Sequence, residues 1–470
     1  MRSLVSLLFL TAALGAPLCG QTYDLVIANG RVMDPASGLD AVRHIGVTGT
    51  RIAAISATPL QGKRVINARN HVVSPGFIDM HQHGQTDENY RLKARDGVTT
   101  ALELEIGVSP VAPWYRERQG KAVVNYGASV GHVRARMAVM KDTGEWLPRD
   151  NAIKKTATAE ERRAIRDLID QGLAEGALGI GFGFGYTPKA YNEELQELFA
   201  VGAKWKRPSY IHMRHGSLGD PGLAASLHEV FAYSLVTGAP VHVVHIGASS
   251  TTKFDLAMEM VAAARKRGLD LTMESYPYTA GMTRIETSIF DPGFNERLGL
   301  PYENMLWAET GERLTEKTFH EYRKKGGYVA TFTNTEEMIR KNMVHPDIII
   351  ASDGILENGK GHPRVAGTYA RVLGKYVRDE KALPLMLALR KMTVMPADRL
   401  GLRNKGRLQV GADADITVFN PNTVIDKATF EKANLPSEGI PFVIVNGTVV
   451  VDNNRVVEGV FPGQGVKAPK

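Results

Sequence analysis

His81 and His83 stand two residues apart in the stretch PGFIDMHQHG (75–84), at the end of an apolar run. Val72, Val73, Phe77 and Ile78 read as a buried strand. Residues i and i+2 of a strand face the same way, so the two imidazoles would project together where that strand stops. Neutral imidazole is the commonest protein metal ligand, and two converging imidazoles make half of a zinc-type site. Alone, the pair also describes two half-exposed histidines beside a turn. Other residues must decide.

Further groups of this kind occupy the ends of other apolar runs. GVTTALELEIG (97–107) carries Glu103 and Glu105, YIHMRH (210–215) carries His212, and VHVVHIG (241–247) carries His245. In IIIASDG (348–354), Asp353 follows three isoleucines. Each has a plain structural explanation; Asp353 before Gly354 can simply cap a turn. Four histidines and several carboxylates at the ends of separate strands point instead to a shared metal site.

These strand ends need a scaffold that brings them to one mouth. Eight apolar segments alternate with amphipathic helical patterns: 76–83, 98–106, 122–132, 177–184, 209–214, 240–246, 269–276 and 348–353. Helical patterns run through TAEERRAIRDLIDQGLAEG, NEELQELFAVGAKW and DLAMEMVAAARKRG, the first opened by Thr158 and Glu161 as a capping-box pair. Such alternation predicts a (β/α)8 barrel of the TIM type, whose functional groups sit at the C-terminal ends of its strands. No GxGxxG opens a helix after a strand, so a dinucleotide fold is disfavoured. Short strands punctuated by Asn-Gly and Pro-Ala-Ser-Gly turns fill both chain ends and predict one small β-sandwich built from the two termini. The expected division is a signal peptide at 1–20, sandwich at 22–74, barrel at 75–400 and sandwich again at 401–465.

Whole-chain properties narrow the class. The 470 residues carry 57 Lys and Arg against 50 Asp and Glu, a net charge of +7 with no long basic run. Nucleic acid is therefore not an expected partner, whereas a small acidic substrate is compatible. The opening MRSLVSLLFLTAALGAPLCG has one basic residue, an apolar core and small residues, the pattern of a secretory signal. An exported protein with no stable membrane partner is expected; a homo-oligomer is compatible. Cys19, the single cysteine, lies in that segment, which excludes a disulfide within the mature chain and a cysteine-based metal site. A lipid anchor on Cys19 is disfavoured by the bulky Leu18 before it.

PGFIDMHQHG, HMRH, VHIG, YPYTAG, ASDG and HPRVAGTYARVLGKYVR, taken in order, resemble the amidohydrolase superfamily. The nearest resemblance is to its D-aminoacylase branch of N-acyl-D-amino-acid deacylases, including those acting on N-acyl-D-glutamate, and it runs from about Tyr23 to Pro462. It implies one or two zinc ions, with His81 and His83 on one metal position and His212 and His245 on the other. It implies a metal-bound hydroxide as nucleophile and Asp353 as general acid/base. Zinc can lower the pKa of a bound water to about 7 and polarise an amide carbonyl. Tyr186 could donate to the substrate, and Arg364, in GHPR, could clamp a substrate carboxylate or be a surface arginine.

The chain departs from that branch in three places. The branch bridges its metals with a cysteine where Ile106 stands, and other amidohydrolases use a carboxylated lysine that GALGIGFGFG lacks. Glu105 or Glu103 should then bridge, with Glu105 nearer the strand end. Gly247 stands where a lysine is frequent, and Met282, Thr283 and Arg284 follow YPYTAG in place of a small hydroxyl residue. Arg284 could compensate for the lysine or sit on a surface loop; His132 could orient substrate or pack in the core. The expected reaction is hydrolysis of the amide of an N-acyl-(D-)amino acid or related dipeptide. The alternative is a cyclic-amide hydrolase of the dihydroorotase or hydantoinase type.

Overall fold

The structure, a computed structural model, describes residues 22–216 and 221–469. The segment read as a signal peptide, with Cys19, lies outside the described residues. Eight parallel strands form the central sheet in chain order: β1 Phe77–Asp79, β2 Val98–Val108, β3 Asn125–Gly131, β4 Ile180–Gly183, β5 Ser209–His212, β6 Val241–Val243, β7 Leu271–Ser275 and β8 Ile348–Ile350. Each lies within one of the eight predicted apolar runs or overlaps it. Helices cover the outside while side chains fill the inside, so the strands are buried on both faces and show no polar alternation; β2 is buried over ten of its eleven residues.

The sheet is a nearly closed barrel. Past the strand ends Asp353 N donates to His81 O at 2.7 Å and His83 N donates to Gly354 O at 2.9 Å. Asp79 reinforces this seam: it accepts from Ser352 N at 3.0 Å and Ser352 Oγ at 2.5 Å, and pairs with the fully buried Lys93 at 2.8 Å. The seam thus fixes the backbone of His81 and Asp353 together.

Strands from both chain ends build the second layer. Thr22–Asp34, Leu39–Thr48, Arg51–Ser56, Gln61–Asn67 and Val72–Pro75 share a nine-stranded sheet with Ile416–Phe419, Phe442–Val445, Thr448–Asp452 and Arg455–Val456. The halves meet where Val72–Pro75 runs antiparallel to Ile416–Phe419, and Leu25, Ile27, Ile45, Val73, Val418 and Ile444 belong to its core. The predicted capping box forms: Glu161 N donates to Thr158 Oγ1 and Thr158 N to Glu161 Oε2, opening the helix Ala159–Ala174.

One feature was not predicted. Between β7 and β8, Ala280–Arg284, Met305–Trp307 and Tyr328–Phe332 form a three-stranded antiparallel sheet. It has a core of its own around Phe290, Phe294, Trp307 and Phe319, and it contributes to the wall of the cavity at the barrel mouth.

Candidate metal centre

β2 delivers the central carboxylate through an irregularity in its ladder. Glu103 pairs with Ala128, but the next pair is Val108 with Val130, so five steps on β2 oppose two on β3. Gly107, at φ 65°, permits the bend, and a Cβ there would stand 2.5 Å from Ser129 Oγ. Such a bulge re-aims side chains at a barrel rim. Glu105 leaves the ladder and reaches the barrel mouth.

There its two oxygens face two histidine pairs. Glu105 Oε2 lies 3.4 Å from His81 Nε2 and 3.1 Å from His83 Nε2. Glu105 Oε1 lies 2.8 Å from His212 Nδ1 and 3.0 Å from His245 Nε2. Asp353 Oδ1 completes the first group, 3.4 Å from His81 Nε2 and 3.3 Å from His83 Nε2. Two three-residue groups able to hold an ion result, His81–His83–Asp353 and Glu105–His212–His245. His245 (φ 34°) and Asp353 (φ 53°) both adopt left-handed backbone, rare for residues with a side chain and concentrated at functional sites.

The donor chemistry fits a cation. His81 Nδ1 meets Glu274 Oε1 at 2.5 Å and His83 Nδ1 meets Glu103 Oε2 at 2.8 Å. An ionised carboxylate only accepts, so each Nδ1 carries the hydrogen and each neutral Nε2 presents a lone pair. Those lone pairs face each other at 3.1 Å and face the oxygens of Glu105 and Asp353. Acceptor then faces acceptor, an arrangement that only a cation or extra protons can satisfy. Glu103 and Glu105 thus divide the work: Glu105 lies between the two histidine pairs, while Glu103 orients His83 and accepts from Gly107 N at 3.2 Å.

Electrostatics agree with the geometry. Burial disfavours a charged His81, yet Asp353, Glu274 and Glu105 push its pKa up to about 10. Burial would raise the Glu105 carboxyl, but His81, His212 and His245 hold it well below the usual carboxylate range. Burial likewise works against an ionised Asp353, and Arg364 with His81 and His83 outweighs it, so Asp353 stays ionised.

The group opens into a cavity of about 490 Å³ lined by His83, Glu105, His212, His245 and Asp353 at its polar end. Tyr186 and Tyr276 stand beside them, and Trp146, Met282, Ile289, Phe290, Leu298 and Leu300 supply apolar wall. Tyr186 bonds Thr283 Oγ1 at 3.0 Å and its ring lies 4.7 Å from that of His212. Trp146 packs edge-on against His83, ring centroids 4.9 Å apart.

Three expected substrate contacts are not on that wall. His132 is fully buried and bonded to Glu194 at 2.8 Å, a core histidine. Arg284 is tied to Glu286 at 2.5 Å and lies over Tyr328. Arg364, fully buried behind Tyr276, places Nη2 2.9 Å from Asp353 Oδ1. At Gly247 there is no room for a side chain: a Cβ would stand 2.2 Å from Asn342 Nδ2 and 2.4 Å from Ser275 Oγ. Sequence reasoning missed Glu274, whose only signal was an acid inside the apolar β7, and Trp146, which had none.

Similarity to known proteins follows the same lines. Residues 64–451 match the model of the amidohydrolase family. The chain is 31% identical to a D-aminoacylase of Alcaligenes xylosoxydans xylosoxydans, over 92% of this chain and 95% of that protein. It is 29% identical to an N-acyl-D-glutamate deacylase of the same organism, over 92% and 94%. The crystal structure of an N-acyl-D-glutamate deacylase from Bordetella bronchiseptica, complexed with zinc and a phosphonate mimic of the tetrahedral intermediate, superposes with a TM-score of 0.84 at 27% identity, covering 95% of this chain and 100% of that one. The chain belongs to the amidohydrolase family, in its D-aminoacylase branch.

Proposed function

We propose that this protein is an exported, zinc-dependent amidohydrolase that releases the free amino acid from N-acyl-D-amino acids. The observation that carries the reading is Glu105, whose two oxygens each meet a different histidine pair. His81, His83 and Asp353 would hold one ion, His212 and His245 the other, with Glu105 shared between them. Zinc bound there would supply Lewis acidity, polarising the amide carbonyl and making water a stronger acid.

The chain's own groups handle protons and position. Asp353, held ionised by Arg364, takes a proton from the attacking water and returns it to the leaving amide nitrogen as the C–N bond breaks. Tyr186, its phenol kept protonated by burial, donates to the substrate carbonyl or carboxylate. Arg364 adds positive potential behind Tyr276, which favours a substrate bearing a carboxylate. The apolar segment 4–14 supports export.

The test is an amine-release assay on paired N-acetyl-D- and N-acetyl-L-amino acids with a parallel panel of cyclic amides. Hydrolysis confined to the D series is expected, and Asp353→Asn should lower kcat by about 10²–10⁴ with the fold intact by circular dichroism. Ring opening of cyclic amides alone would replace this reading with a hydantoinase-type one. Full activity in Asp353→Asn would remove Asp353 from the proton path.

A further inference from the structure

An amide has an amine side and an acyl side, and the cavity offers them different walls. The barrel strands run in chain order, so β3 and β4 stand across the mouth from β7 and β8. The leaving nitrogen belongs on the side of β7 and β8, where Asp353 returns its proton and Arg364 lies behind Tyr276. The acyl chain, on the other side of the carbonyl carbon, then points toward the segments that follow β3 and β4.

Those segments build an apolar wall. Trp146, from the segment after β3, is half-buried and stands edge-on to His83. Tyr186 follows β4, and Ile289 arrives from the insert between β7 and β8. Trp146 and Ile289 pack on one cluster with Ile106, Val133, Leu147 and Tyr186. The segment carrying Trp146 is fixed by its own hydrogen bonds. Asp142 Oδ1 accepts from Gly144 N at 2.9 Å and Arg149 N at 2.8 Å. Its Oδ2 accepts from Asp150 N at 2.9 Å and Ala152 N at 2.8 Å. Arg134 Nη1 donates to Trp146 O at 3.1 Å, and Ser288 Oγ donates to Gly185 O at 3.3 Å, tying the Ile289 segment to the turn after β4. Side chains set in advance lose little freedom when a ligand arrives.

The arginines near this wall are already engaged. Arg214 Nη2 donates to Glu229 Oε1 and to Ala190 O, each at 2.8 Å, and Arg297 donates to Ile289 O at 3.0 Å. An apolar acyl chain therefore suits the wall better than a charged one. The cavity's volume of about 490 Å³ lies in the roughly 300–1,000 Å³ range that encloses drug-sized ligands, more than an N-acetyl amino acid fills.

We propose that Trp146, Tyr186 and Ile289 form an acyl subsite, and that the preferred substrates carry an apolar acyl group larger than acetyl. Trp146 is the specificity-determining residue of that subsite. The proposal rests on the deacylase reading above and names the acyl group it takes.

The experiment gives the Zn2+-loaded protein N-acetyl, N-hexanoyl, N-phenylacetyl and N-succinyl derivatives of D-alanine, D-methionine and D-glutamate. In parallel, binding of free acetate, hexanoate and phenylacetate is read by tryptophan emission. The hexanoyl and phenylacetyl compounds should exceed the acetyl ones by at least about 10-fold in kcat/KM, since each buried CH2 adds about 4-fold in affinity. Trp146→Ala should cut that preference by about 10-fold, through KM more than kcat, and Trp146→Phe should restore most of it. A merely structural role would instead lower every substrate alike. Ile289→Ala should reduce the preference by about 4-fold and carries the test if Trp146→Ala does not fold. Hexanoate and phenylacetate should shift the emission of the parent but not of Trp146→Phe. Acetyl or succinyl compounds as the best substrates, or a Trp146→Ala loss shared equally by all, would overturn the subsite. No hydrolysis of any compound, with hexanoate still bound in a Trp146-dependent way, would overturn the deacylase reading and keep the subsite. Neither hydrolysis nor binding would overturn both.

Discussion

Two clusters of buried histidine and carboxylate lie in this barrel, and they are wired in opposite senses. In the cluster of His132, Arg136 and Glu194, donors face acceptors: His132 Nε2 meets Glu194 Oε1 at 2.8 Å and Arg136 donates to Glu194 Oε2 and to Ala152 O. In the cluster at the barrel mouth, lone pairs and carboxylate oxygens face one another at 3.1–3.4 Å. The first arrangement gives each Glu194 oxygen a donor and lies away from the cavity wall. The second is complete only with a cation or extra protons, and it opens to the cavity. Residue type does not distinguish a structural site from a functional one here; the direction in which hydrogens point does.

The sharpest way to break this contrast is at the two central carboxylates. Glu105→Gln should cost on the order of 10³-fold in kcat/KM, about 4 kcal/mol, through loss of shared metal coordination. Its metal content per folded chain should fall, because an amide replaces the carboxylate that both histidine pairs share. Glu194→Gln should do the reverse. Removing the charge that pairs with the buried Arg136 should destabilise the chain by about 3–5 kcal/mol in denaturant unfolding, with metal content per folded chain unchanged. A Glu105→Gln protein that unfolds as readily as Glu194→Gln would erase the distinction.

Much of this contrast was legible in the sequence, and its limits have physical causes. The eight barrel strands were readable because a parallel sheet covered on both faces demands unbroken apolar runs. The histidines and Asp353 were readable as chemistry because polar residues at the ends of such runs are costly without partners. Glu105 over Glu103 was only a preference, because two-residue periodicity places both on one face. The bulge at Gly107 is what separates them. The inserted sheet at 280–332 escaped notice because two of its three strands are mostly half-buried and form neither an unbroken apolar run nor a clear alternation. His132, Arg284 and Arg364 could not be placed from local pattern, since the groups that hold them, Glu194, Glu286 and Asp353, come from elsewhere in space or from a turn. The one-residue backbone inversions at His245 and Asp353 left no mark on composition at all.

The smallest effect, and the one that isolates the structural cluster, is in pH. Burial and the neighbouring Arg136 hold the His132 pKa below its ordinary value against the pull of Glu194. Burial works to raise Glu194, but His132 and Arg136 prevail and hold it below its ordinary value. Both groups therefore bind fewer protons in the folded chain than in the unfolded one, so unfolding takes up protons and stability falls as pH falls. The His132 contribution is intact above its unfolded value near 6.5 and is lost as pH drops from there through the folded value. The Glu194 contribution is intact above about 4.5 and is lost below it. Denaturant midpoints measured from pH 8 to pH 4 in saturating Zn2+, each at a metal concentration that keeps the centre loaded, should decline in that order. Glu194→Gln should flatten the lower part of the curve, since no carboxylate is left to protonate. An identical acid slope in parent and variant would place the acid sensitivity at the metal centre instead, and the two clusters would then differ in chemistry but not in their share of the fold's stability.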